Sequence, residues 1–482
     1  MLDLRPVLYT LGALLSMLAL GMLIPIFVDL SADNNDWEVF LLAMFLTLTF
    51  GGMLMLANRG TGDNLNLRQA FLMTTLAWAV LPAFAALPMA FSVLDLSYTD
   101  AYFESMSGIT TTGSTILSGL DTTPPGILIW RALLQWFGGI GIVVMAVAVL
   151  PMLQVGGMQV FKVESFDTVE KILPRAAQIS GAIIGLYIAF TALCAIFYML
   201  AGMGSFDALA HSMAAISTGG FSTYDASMGA FNSYSVDMIT IVFMIIGSLP
   251  FIIYLQVVRG RPLAVWQDEQ ARGFLKLVAV LCGGVTLWLV VWKNFTIAEA
   301  FRFGSFNIIS VLTGTGFAST DYSQWGSFSA TLFFLVMFIG GCAGSTSCGI
   351  KIFRFQVLLK SMKCWAAHII QPNGVFIPRY NNRPISRDVQ SSVMAFMTLF
   401  LAIFIVLSTA VAATGADWVT AFSSTGTALS NVGPGLGDIV GPAGNFASLD
   451  DTAKWILSLA MLLGRLELFS ALVLLSPAFW RA

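Results

Sequence analysis

The chain of 482 residues is 57% hydrophobic and only 10% charged, with a net charge of −3. Because soluble globular domains carry about 25% charged residues, this composition excludes a soluble globule and is typical of a polytopic membrane protein. Five cysteines show no metal or redox spacing and are interpreted as small apolar fillers: Cys194, Cys282, Cys342, Cys348 and Cys364.

Ten apolar runs are long enough to cross about 30 Å of hydrocarbon. The first is followed by another span rather than by a cleavage site, so we expect it to be retained. The predicted spans lie near residues 7–29, 37–57, 69–93, 127–151, 179–203, 234–257, 273–292, 328–341 continuing into 349–359, 391–413 and 454–477.

Basic and acidic connections alternate between these spans. The positive-inside rule predicts that the basic connections and both termini are cytoplasmic. Their basic residues are Arg59, Arg68, Lys162, Lys171, Arg175, Arg259, Arg261, Arg272, Lys276 and those between Lys351 and Arg387. The remaining loops are predicted to face outward, because they contain many aspartates and only Lys293 and Arg302 as basic residues: 30–36, 94–126, 204–233, 293–327 and 414–453.

A small polar turn recurs in each of the four long outward loops. It reads ITTTGST at 109–115, ISTGGFS at 216–222, TGTGFAS at 313–319 and SNVGPGLG at 430–437. Each copy follows a moderately apolar half-helix and precedes a span, so the repeating unit is span, half-helix, glycine turn and span. Four such units around one axis can present rings of carbonyl oxygens that replace the water around a cation.

The residue types in the turn suit this chemistry. Glycine permits a backbone conformation that other residues disfavour, and a half-helix directs its negative C-terminal end toward the turn. A single copy is most often a plain loop, whereas four copies in the same topological position favour a cation filter. An aspartate follows each turn, and we interpret it either as lining the mouth or as a solvated loop residue: Asp121, Asp225, Asp321 and Asp438.

Several stretches resemble one family of membrane proteins. ESMSGITTTGST, LLQWFGGIGIVVMAVAVLPML, GGMQVFKVES, GFASTD, GGCAGSTSCGIKIFR and LSNVGPGLG are similar to the TrkH/TrkG/KtrB superfamily of bacterial potassium-uptake proteins, and the similarity covers essentially the whole chain. The resemblance implies a potassium translocation subunit of the inner membrane that forms a homodimer and is regulated by a cytosolic, nucleotide-binding TrkA-like subunit. It implies K⁺ as the transported ion, and this chain itself shows no nucleotide site.

The resemblance also assigns a potassium filter. The family's four filter glycines correspond to Gly113, Gly219, Gly316 and Gly433, and glycine in all four repeats is associated with potassium selectivity in that superfamily. The expected filter residues, with K⁺ bound among them, are Thr111, Thr112, Gly113, Ser217, Thr218, Gly219, Gly314, Thr315, Gly316, Asn431, Val432 and Gly433. Because Val432 removes one hydroxyl, we expect modest discrimination between cations.

The predicted fold is an all-α polytopic membrane protein with four pseudo-symmetric repeats of outer helix, pore helix and inner helix around a central pore. Two extra transmembrane helices precede the repeats, as the family resemblance implies. The expected division is an N-terminal two-helix domain at 1–60, followed by repeats at 61–155, 156–260, 261–365 and 366–482.

The span after the third turn is interrupted at residues 340–349, GGCAGSTSCG. A broken helix at membrane depth suggests a movable element, and in proteins of the resembling family the matching segment blocks the pathway beneath the filter. The alternative is a glycine-rich contact between packed helices. The candidate gate residues are Gly340, Gly341, Gly344, Ser345, Thr346, Ser347 and Gly349.

Arg465 stands in the middle of the last predicted span, where an unpaired guanidinium costs at least ~2.5–3.5 kcal/mol. Glu467 is a poor partner on a continuous helix, because residues two apart do not face each other. Arg465 is therefore a functional candidate. The family resemblance implies that it lies near the filter and the gate, where its positive charge would raise the barrier to potassium, and the alternative is a structural pairing elsewhere. Arg131 and Lys454 begin spans and are expected to extend to the outer interface.

The sequence favours a potassium-selective pore that is gated by an interrupted helix and a cytosolic subunit. A proton- or sodium-coupled potassium symporter stays open, because the residues do not separate coupled from uncoupled flow. A secondary transporter of a small organic solute is less favoured, since that class shows two related halves rather than four quarters. We expect no enzyme activity, because no nucleophile–base pair or metal cluster is visible within the spans.

Overall fold

The computed structural model describes residues 3–60, 66–148, 176–381 and 383–481. The predicted cytoplasmic residues Lys162, Lys171 and Arg175 lie outside these residues, as do the expected domain boundary at 155 and most of the connection 154–176. The described elements confirm the predicted all-α class, with only two pairs of two-residue strands.

Three helices precede the repeats: α1 (Arg5–Gly21), α2 (Leu23–Ser31) and α3 (Trp37–Ala57). The outer helices of the four repeats are α4 (Leu67–Ala85, extended by α5 at Leu87–Phe91), α8 (Ala176–Leu200), α13 (Glu269–Lys293) and α17 (Arg387–Ala413). The pore helices are α6 (Tyr98–Ile109), α9 (Ser205–Ile216), α14 (Ile297–Thr313) and α18 (Trp418–Ser430).

The inner helices are α7 (Pro125–Ala148), the pair α10 (Tyr234–Ser248) and α11 (Phe251–Val258), the pair α15 (Ser327–Val336) and α16 (Ile352–Ile370), and α20 (Asp451–Arg465). Short helices are α12 (Ala264–Gln267), α19 (Gly437–Val440), α21 (Phe469–Leu472) and α22 (Pro477–Arg481). The 3₁₀ turns are Leu120–Thr122, Ser227–Phe231, Tyr322–Trp325 and Val473–Leu475. Strands β1 (Ile339–Gly340) and β2 (Ile350–Lys351) are parallel, and β3 (Arg379–Tyr380) and β4 (Arg383–Pro384) are antiparallel.

The pore helices are too short to cross a bilayer. Their 12 to 17 residues rise about 18–26 Å. Capping residues fix three of their starts: Ser97, Thr296 and Asp417 accept hydrogen bonds from the first turn. The hydrogen bond from the Thr420 side chain holds the pKa of Asp417 below its ordinary value. The last two turns of each pore helix are buried.

Seven described helices are long and apolar enough to span a membrane, or eight if α10 and α11 are one span, so the chain is a multi-pass membrane protein. Two of the predicted spans, 234–257 and 454–477, are not single continuous helices. The α10–α11 pair bends by 96° next to Pro250, which lacks an N–H for the helical ladder. The fourth inner helix, α20, ends at Arg465, and Glu467 and Leu468 then adopt left-handed backbone.

The expected boundary between the third and fourth repeats, at residue 365, falls inside α16. This helix continues unbroken from Ile352 to Ile370, beyond the end that hydropathy predicted. The C-terminal half of α16 exposes Met362, Trp365 and Ile369. The boundary at residue 260 falls between α11 and α12.

Arg131 and Lys454 are buried ion-pair partners, so the expectation that they extend to the outer interface is wrong. Arg131 Nε donates to Glu104 Oε1 at 2.8 Å, and both side chains are at most 1% exposed. Lys454 Nζ lies 2.6 Å from Asp100 Oδ1 and joins α20 to α6. Both cations therefore find their counter-charges in carboxylates of the pore helix α6. The sequence of a single span does not reveal such partners.

Replacement of Glu104 by Gln should lower the stability of the protein by about 3–5 kcal/mol, because it leaves the Arg131 guanidinium buried without a counter-charge. The measurement is the thermal midpoint of the detergent-solubilised protein, followed by size-exclusion chromatography. Asp451→Asn is the matched control, since Asp451 is 67% exposed and lies 3.7 Å from Lys454. Equal midpoints for the two variants would contradict a stabilising role of the buried pair.

Candidate functional site

The four turns that follow the pore helices share one backbone geometry. Each starts with a residue in left-handed backbone, with φ between 51° and 73°: Thr111, Thr218, Gly314 and Asn431. Two positions later stands a glycine with φ between 79° and 111°: Gly113, Gly220, Gly316 and Gly433. A side chain at such a φ costs about 1–2 kcal/mol, so glycine is favoured there. We name residues 111–113, 218–220, 314–316 and 431–433 the turn ring.

Hydrogen bonding gives the same register. The middle residue of each turn donates its N–H to the carbonyl five residues earlier in the pore helix: Thr112 to Ser107, Gly219 to Ala214, Thr315 to Ser310 and Val432 to Thr427. Gly219 therefore corresponds to Thr112, and the counterpart of Gly113 is Gly220. The sequence assignment of Gly219 as the second glycine is displaced by one residue, because two adjacent glycines leave the register ambiguous until φ is known.

The glycines of the turn ring contact the next turn in a closed cycle. A Cβ atom added to the third residue of any turn would lie within 2.9 Å of the carbonyl oxygen of the middle residue of the neighbouring turn. From the added Cβ, the distance would be 2.3 Å for Gly113 to Gly219, 1.9 Å for Gly220 to Thr315, 2.0 Å for Gly316 to Val432 and 2.9 Å for Gly433 to Thr112. Each turn touches the next, and the fourth touches the first, so the turns surround a single axis.

Polar side chains next to the turn ring form hydrogen bonds with its backbone. Gln135 Nε2 donates to the Gly219 carbonyl at 2.6 Å, and its Oε1 accepts from Phe221 N at 3.0 Å. Ser114 Oγ donates to the Gly433 carbonyl at 2.7 Å and thus joins the first and fourth repeats. Sequence reasoning missed Gln135, although one amide in the apolar run LLQWFGG was a signal for it.

The predicted hydroxyls are buried beside the turns. Thr112 Oγ1 lies 2.7 Å from Thr110 Oγ1 and accepts from Asn431 Nδ2 at 2.8 Å. Thr315 Oγ1 lies 2.8 Å from Thr313 Oγ1. Ser217 lies one residue before the second turn, in the position of Thr110. Val432 contributes no hydroxyl, as the sequence indicated, so the side-chain surroundings of the ring are asymmetric.

A cavity opens on one side of the turn ring. Its lining includes Gly113, Gly220, Gly316 and Gly433 together with Arg131, Tyr224 and Asp225. Of the four predicted mouth aspartates, only Asp225 lines it, and its carboxylate accepts from the Gly119 and Leu120 amides at 2.8 and 3.0 Å. Asp321 instead accepts from Ser323 N as a helix cap. The mouth therefore holds one carboxylate that is already bound to backbone.

The interrupted third inner helix forms a loop on the inner side of the turn ring. We name residues 337–351 the interrupting loop; β1 and β2 pair at its two ends, and it contains all seven candidate gate residues. It is not a contact between packed helices. Gly340 fits against the Cys348 carbonyl, where a Cβ would lie at 1.7 Å, and Gly344 and Gly349 have φ of 76° and 73°.

Three side chains of the interrupting loop reach the ends of the pore helices. The Thr346 hydroxyl lies 2.9 Å from the Ile216 carbonyl oxygen and 3.4 Å from the Thr218 hydroxyl. Ser347 Oγ donates to the Thr313 carbonyl at 2.6 Å. Cys348 Sγ lies 3.9 Å from Thr111 Oγ1. The loop thus contacts three of the four repeats directly beneath the turns.

Arg465 lies at the end of α20 beside the interrupting loop. Its Nη2 donates to the Gly138 carbonyl at 2.8 Å, and its Nη1 contacts the Thr346 carbonyl at 3.4 Å and the Cys348 sulfur. The guanidinium also lies 5.3 Å from the centre of the Trp78 ring. Its hydrogen-bond acceptors are carbonyl oxygens and a thiol, and Cys348 is more than an apolar filler.

Two further cations lie under the ring, and sequence reasoning missed both. Lys351 Nζ donates to the Ser347 carbonyl, and Arg354 forms an ion pair with Glu467. The guanidinium of Arg354 also lies 3.8 Å from the centre of the Phe396 ring. The Glu467 carboxylate is thus directed to α16 and not to Arg465, in agreement with the sequence argument that Glu467 is a poor partner for it.

Within the described ranges, no group of three His, Cys, Asp or Glu residues is placed to hold a metal ion. His211, the histidine of the second pore helix, is buried with its ring nitrogens 2.8 Å from the Asp207 carbonyl and 2.9 Å from Ser222 Oγ.

Comparison with known proteins assigns the family. The model of the TrkH family, described as cation transport proteins, matches residues 37–481. The chain belongs to the TrkH family. Potassium is the ion that Trk transporters carry, and the family consists of transporters rather than enzymes.

Named relatives cover nearly the full length of the chain. The Trk system potassium uptake protein TrkI of Halomonas elongata is 42% identical over 99% of this chain and 97% of its own. The Trk system potassium uptake protein TrkH of Escherichia coli is 39% identical over 99% of both chains. The crystal structure of the potassium transporter TrkH from Vibrio parahaemolyticus covers 100% of both chains with a TM-score of 0.92 and 36% identity.

The shifted register of the second turn in this TrkH-family chain gives a prediction. Gly220→Ala should lower the ratio of K⁺ to Na⁺ flux in proteoliposomes about tenfold or more, because its Cβ would displace the Thr315 carbonyl at 1.9 Å. A Cβ at Gly219 would instead meet the Gln135 side chain at 2.4 Å, and the φ of Gly219 is not positive.

The matched comparison uses the Gln135→Ala background, which removes the side chain that Gly219→Ala would strike. In that background Gly219→Ala should change the flux ratio little, and Gly220→Ala should still lower it. Equal losses at the two positions would contradict the register. The expression level and the size-exclusion profile of each variant show whether it folds.

Proposed function

We propose that this TrkH-family chain conducts K⁺ through the turn ring. The observation that supports the proposal most strongly is the closed cycle of four glycine turns, each packed against the carbonyl of the next. A ring of backbone carbonyls exchanges for the hydration shell of a cation, and the four pore helices direct their negative ends toward it. Val432 and Asn431 make the fourth quarter different, so we expect modest discrimination.

We further propose that the interrupting loop closes this pathway. Its residues Thr346 and Ser347 are buried and bond to the pore-helix carbonyls beneath the ring. An ion that leaves the ring inward meets these side chains. Conduction therefore requires the loop to move, and its glycines allow a rearranged backbone. Gly340, Gly341, Gly344, Ser345, Thr346, Ser347 and Gly349 are the proposed gate residues.

The charge of Arg465 opposes the cation in this closed state. A fixed positive charge near the path of a cation raises its barrier by Coulomb repulsion, and about 1.4 kcal/mol is enough to slow passage tenfold. Lys351 adds to the same field, while the ion pair with Glu467 offsets the charge of Arg354. Because Lys351 and Arg354 belong to the interrupting loop and α16, their displacement would also lower the barrier.

A cytosolic subunit is the proposed regulator, of the nucleotide-binding TrkA type that the family resemblance implies. The described cytoplasmic segments 258–272 and 360–388 carry exposed basic side chains that offer a docking surface: Arg259, Arg261, Arg272, Lys363, Arg379, Arg383 and Arg387. We place this surface and both termini on the cytoplasmic side of the inner membrane by the positive-inside rule. We further propose a homodimer.

The repeat division follows the same proposal. The N-terminal helices end near residue 60, and the quarter-units begin near 61, 156 and 261. The last unit is better placed after α16, which ends at Ile370, than at residue 366. A proton- or sodium-coupled symporter is the second candidate function, because the same ring would serve coupled flow.

Flux into proteoliposomes tests conduction. The purified protein should take up K⁺ or Rb⁺ faster than Na⁺, and Gly113→Ser should lower that preference, since a Cβ there would displace the Gly219 carbonyl. Equal K⁺ and Na⁺ uptake by the unaltered protein would overturn the proposed selectivity. The same vesicles with and without a proton or sodium gradient separate coupled from uncoupled flow.

Deletion of Gly344 to Ser347 tests the interrupting loop. Without a cytosolic subunit, the deletion variant should conduct about tenfold faster or more, because it removes the side chains that bond to the Ile216 and Thr313 carbonyls. The K⁺/Na⁺ ratio should change little, since the turn ring is intact. Unchanged or lower flux from a monodisperse protein would argue against a blocking role.

A further inference from the structure

The second inner helix supplies backbone partners for the interrupting loop. Where α10 ends and α11 begins, the chain turns by 96° through Leu249 and Pro250. Ser248 O accepts from Cys342 N at 2.9 Å, and Gly247 O accepts from Thr346 N at 3.1 Å. In the opposite direction, Phe251 N donates to Gly344 O at 3.0 Å. Three main-chain hydrogen bonds thus join this bend to the loop.

We propose that the bend at residues 247–251 positions the interrupting loop beneath the turn ring, and that Pro250 stabilises the bent conformation relative to a straight helix. The proposal rests on the proposed gating function and names the element that regulates it. The interrupting loop is recognisable in the sequence by its glycines and small polar residues. The bend in the second repeat is marked in the sequence only by Pro250. Pro250 and its neighbours are therefore positioning residues.

Helix geometry explains why this bend can hold a loop. In a continuous α-helix each N–H donates to the carbonyl four residues earlier, so Phe251 N would pair with Gly247 O and Ile252 N with Ser248 O. The bend breaks these pairings. Gly247 O, Ser248 O and Phe251 N are then the groups that bond to the interrupting loop. The loop thus takes the place of helical hydrogen bonds that the bend has removed.

These backbone groups can form hydrogen bonds in two arrangements. In one, the helix is bent and the interrupting loop is bound, and in the other, the helix is straight and the loop is released. If the loop left while the bend persisted, buried backbone groups on both sides would lose their partners, and each such loss costs about 1–3 kcal/mol. If α10 and α11 straightened as the loop left, Phe251 N and Gly247 O would pair with each other. Loop release and helix straightening are therefore coupled through shared hydrogen bonds.

Two side chains favour the bent arrangement. Pro250 has no N–H to give to Ile246 O, the carbonyl four residues earlier, and its ring would crowd that carbonyl in a straight helix. In the bent arrangement, Ile246 O instead accepts from the Tyr254 hydroxyl at 2.8 Å and from Leu249 N at 3.4 Å. The first inner helix, α7, runs without a break from Pro125 to Ala148, so a bend is not a general property of these helices.

The experiment compares Pro250→Ala and Tyr254→Phe with the unaltered chain, in proteoliposomes without any cytosolic subunit. Loop position is read from the reaction of Cys342 with a water-soluble maleimide, after Cys194, Cys282, Cys348 and Cys364 are replaced by Ala. Both variants should label Cys342 and conduct K⁺ about fivefold faster, as expected when one hydrogen bond shifts the equilibrium. The K⁺/Na⁺ flux ratio should not change.

Pro82→Ala is the matched control, because Pro82 lies inside α4, an outer helix. It should alter neither labelling nor flux. Unchanged labelling in both Pro250→Ala and Tyr254→Phe would overturn the positioning role of the bend. Faster labelling without faster flux would support that role and instead refute the blocking function of the loop. If Pro250→Ala fails to fold, Tyr254→Phe alone decides the question, because it removes one hydroxyl and leaves the backbone intact.

Discussion

The structure depends on how main-chain polar groups are satisfied where the chain leaves helical geometry at membrane depth. Lipid offers no hydrogen bonds, so irregular backbone survives there only when it is enclosed by protein or lines a cavity. The turn ring meets this condition through repetition. Each turn bonds back to its own pore helix and packs its glycine against the carbonyl of the next turn. No quarter could adopt this conformation alone, and four of them complete a cycle.

The same constraint connects the ring to the segments beneath it. Carbonyls at the ends of two pore helices accept from Thr346 and Ser347, and the bend beside Pro250 pairs with the backbone of the interrupting loop. The loop is therefore held by hydrogen bonds that have alternatives, such as water, a passing cation or a straight helix. A segment held by exchangeable partners can move at low cost, whereas a segment held by apolar packing must leave a cavity behind.

Charge is distributed differently at the two ends of the pathway. On the outer side, Arg131 and Lys454 are each paired with a carboxylate, and these pairs orient the pore helices. Beneath the ring, Lys351 and Arg465 donate to carbonyl oxygens, and the Glu467 carboxylate attracts the charge of Lys351. The carboxylate pairs stabilise the architecture, whereas the role proposed above for Arg465 is to oppose the cation.

Hydropathy, loop charge and the recurrence of one glycine turn determined the fold class, the four quarters, three of the four ring glycines and the interrupting loop, because these features depend on short stretches of local sequence. The tertiary structure alone decided the register at Gly219 and Gly220, where φ separates two identical residues. It also decided the counter-charges of Arg131 and Lys454, the hydrogen bonds of Gln135 and the end of α20 at Arg465. These features depend on contacts between different elements, within the first repeat for Arg131 and Glu104 and between repeats for Lys454 and Gln135. Hydropathy along a single chain carries no information about such contacts.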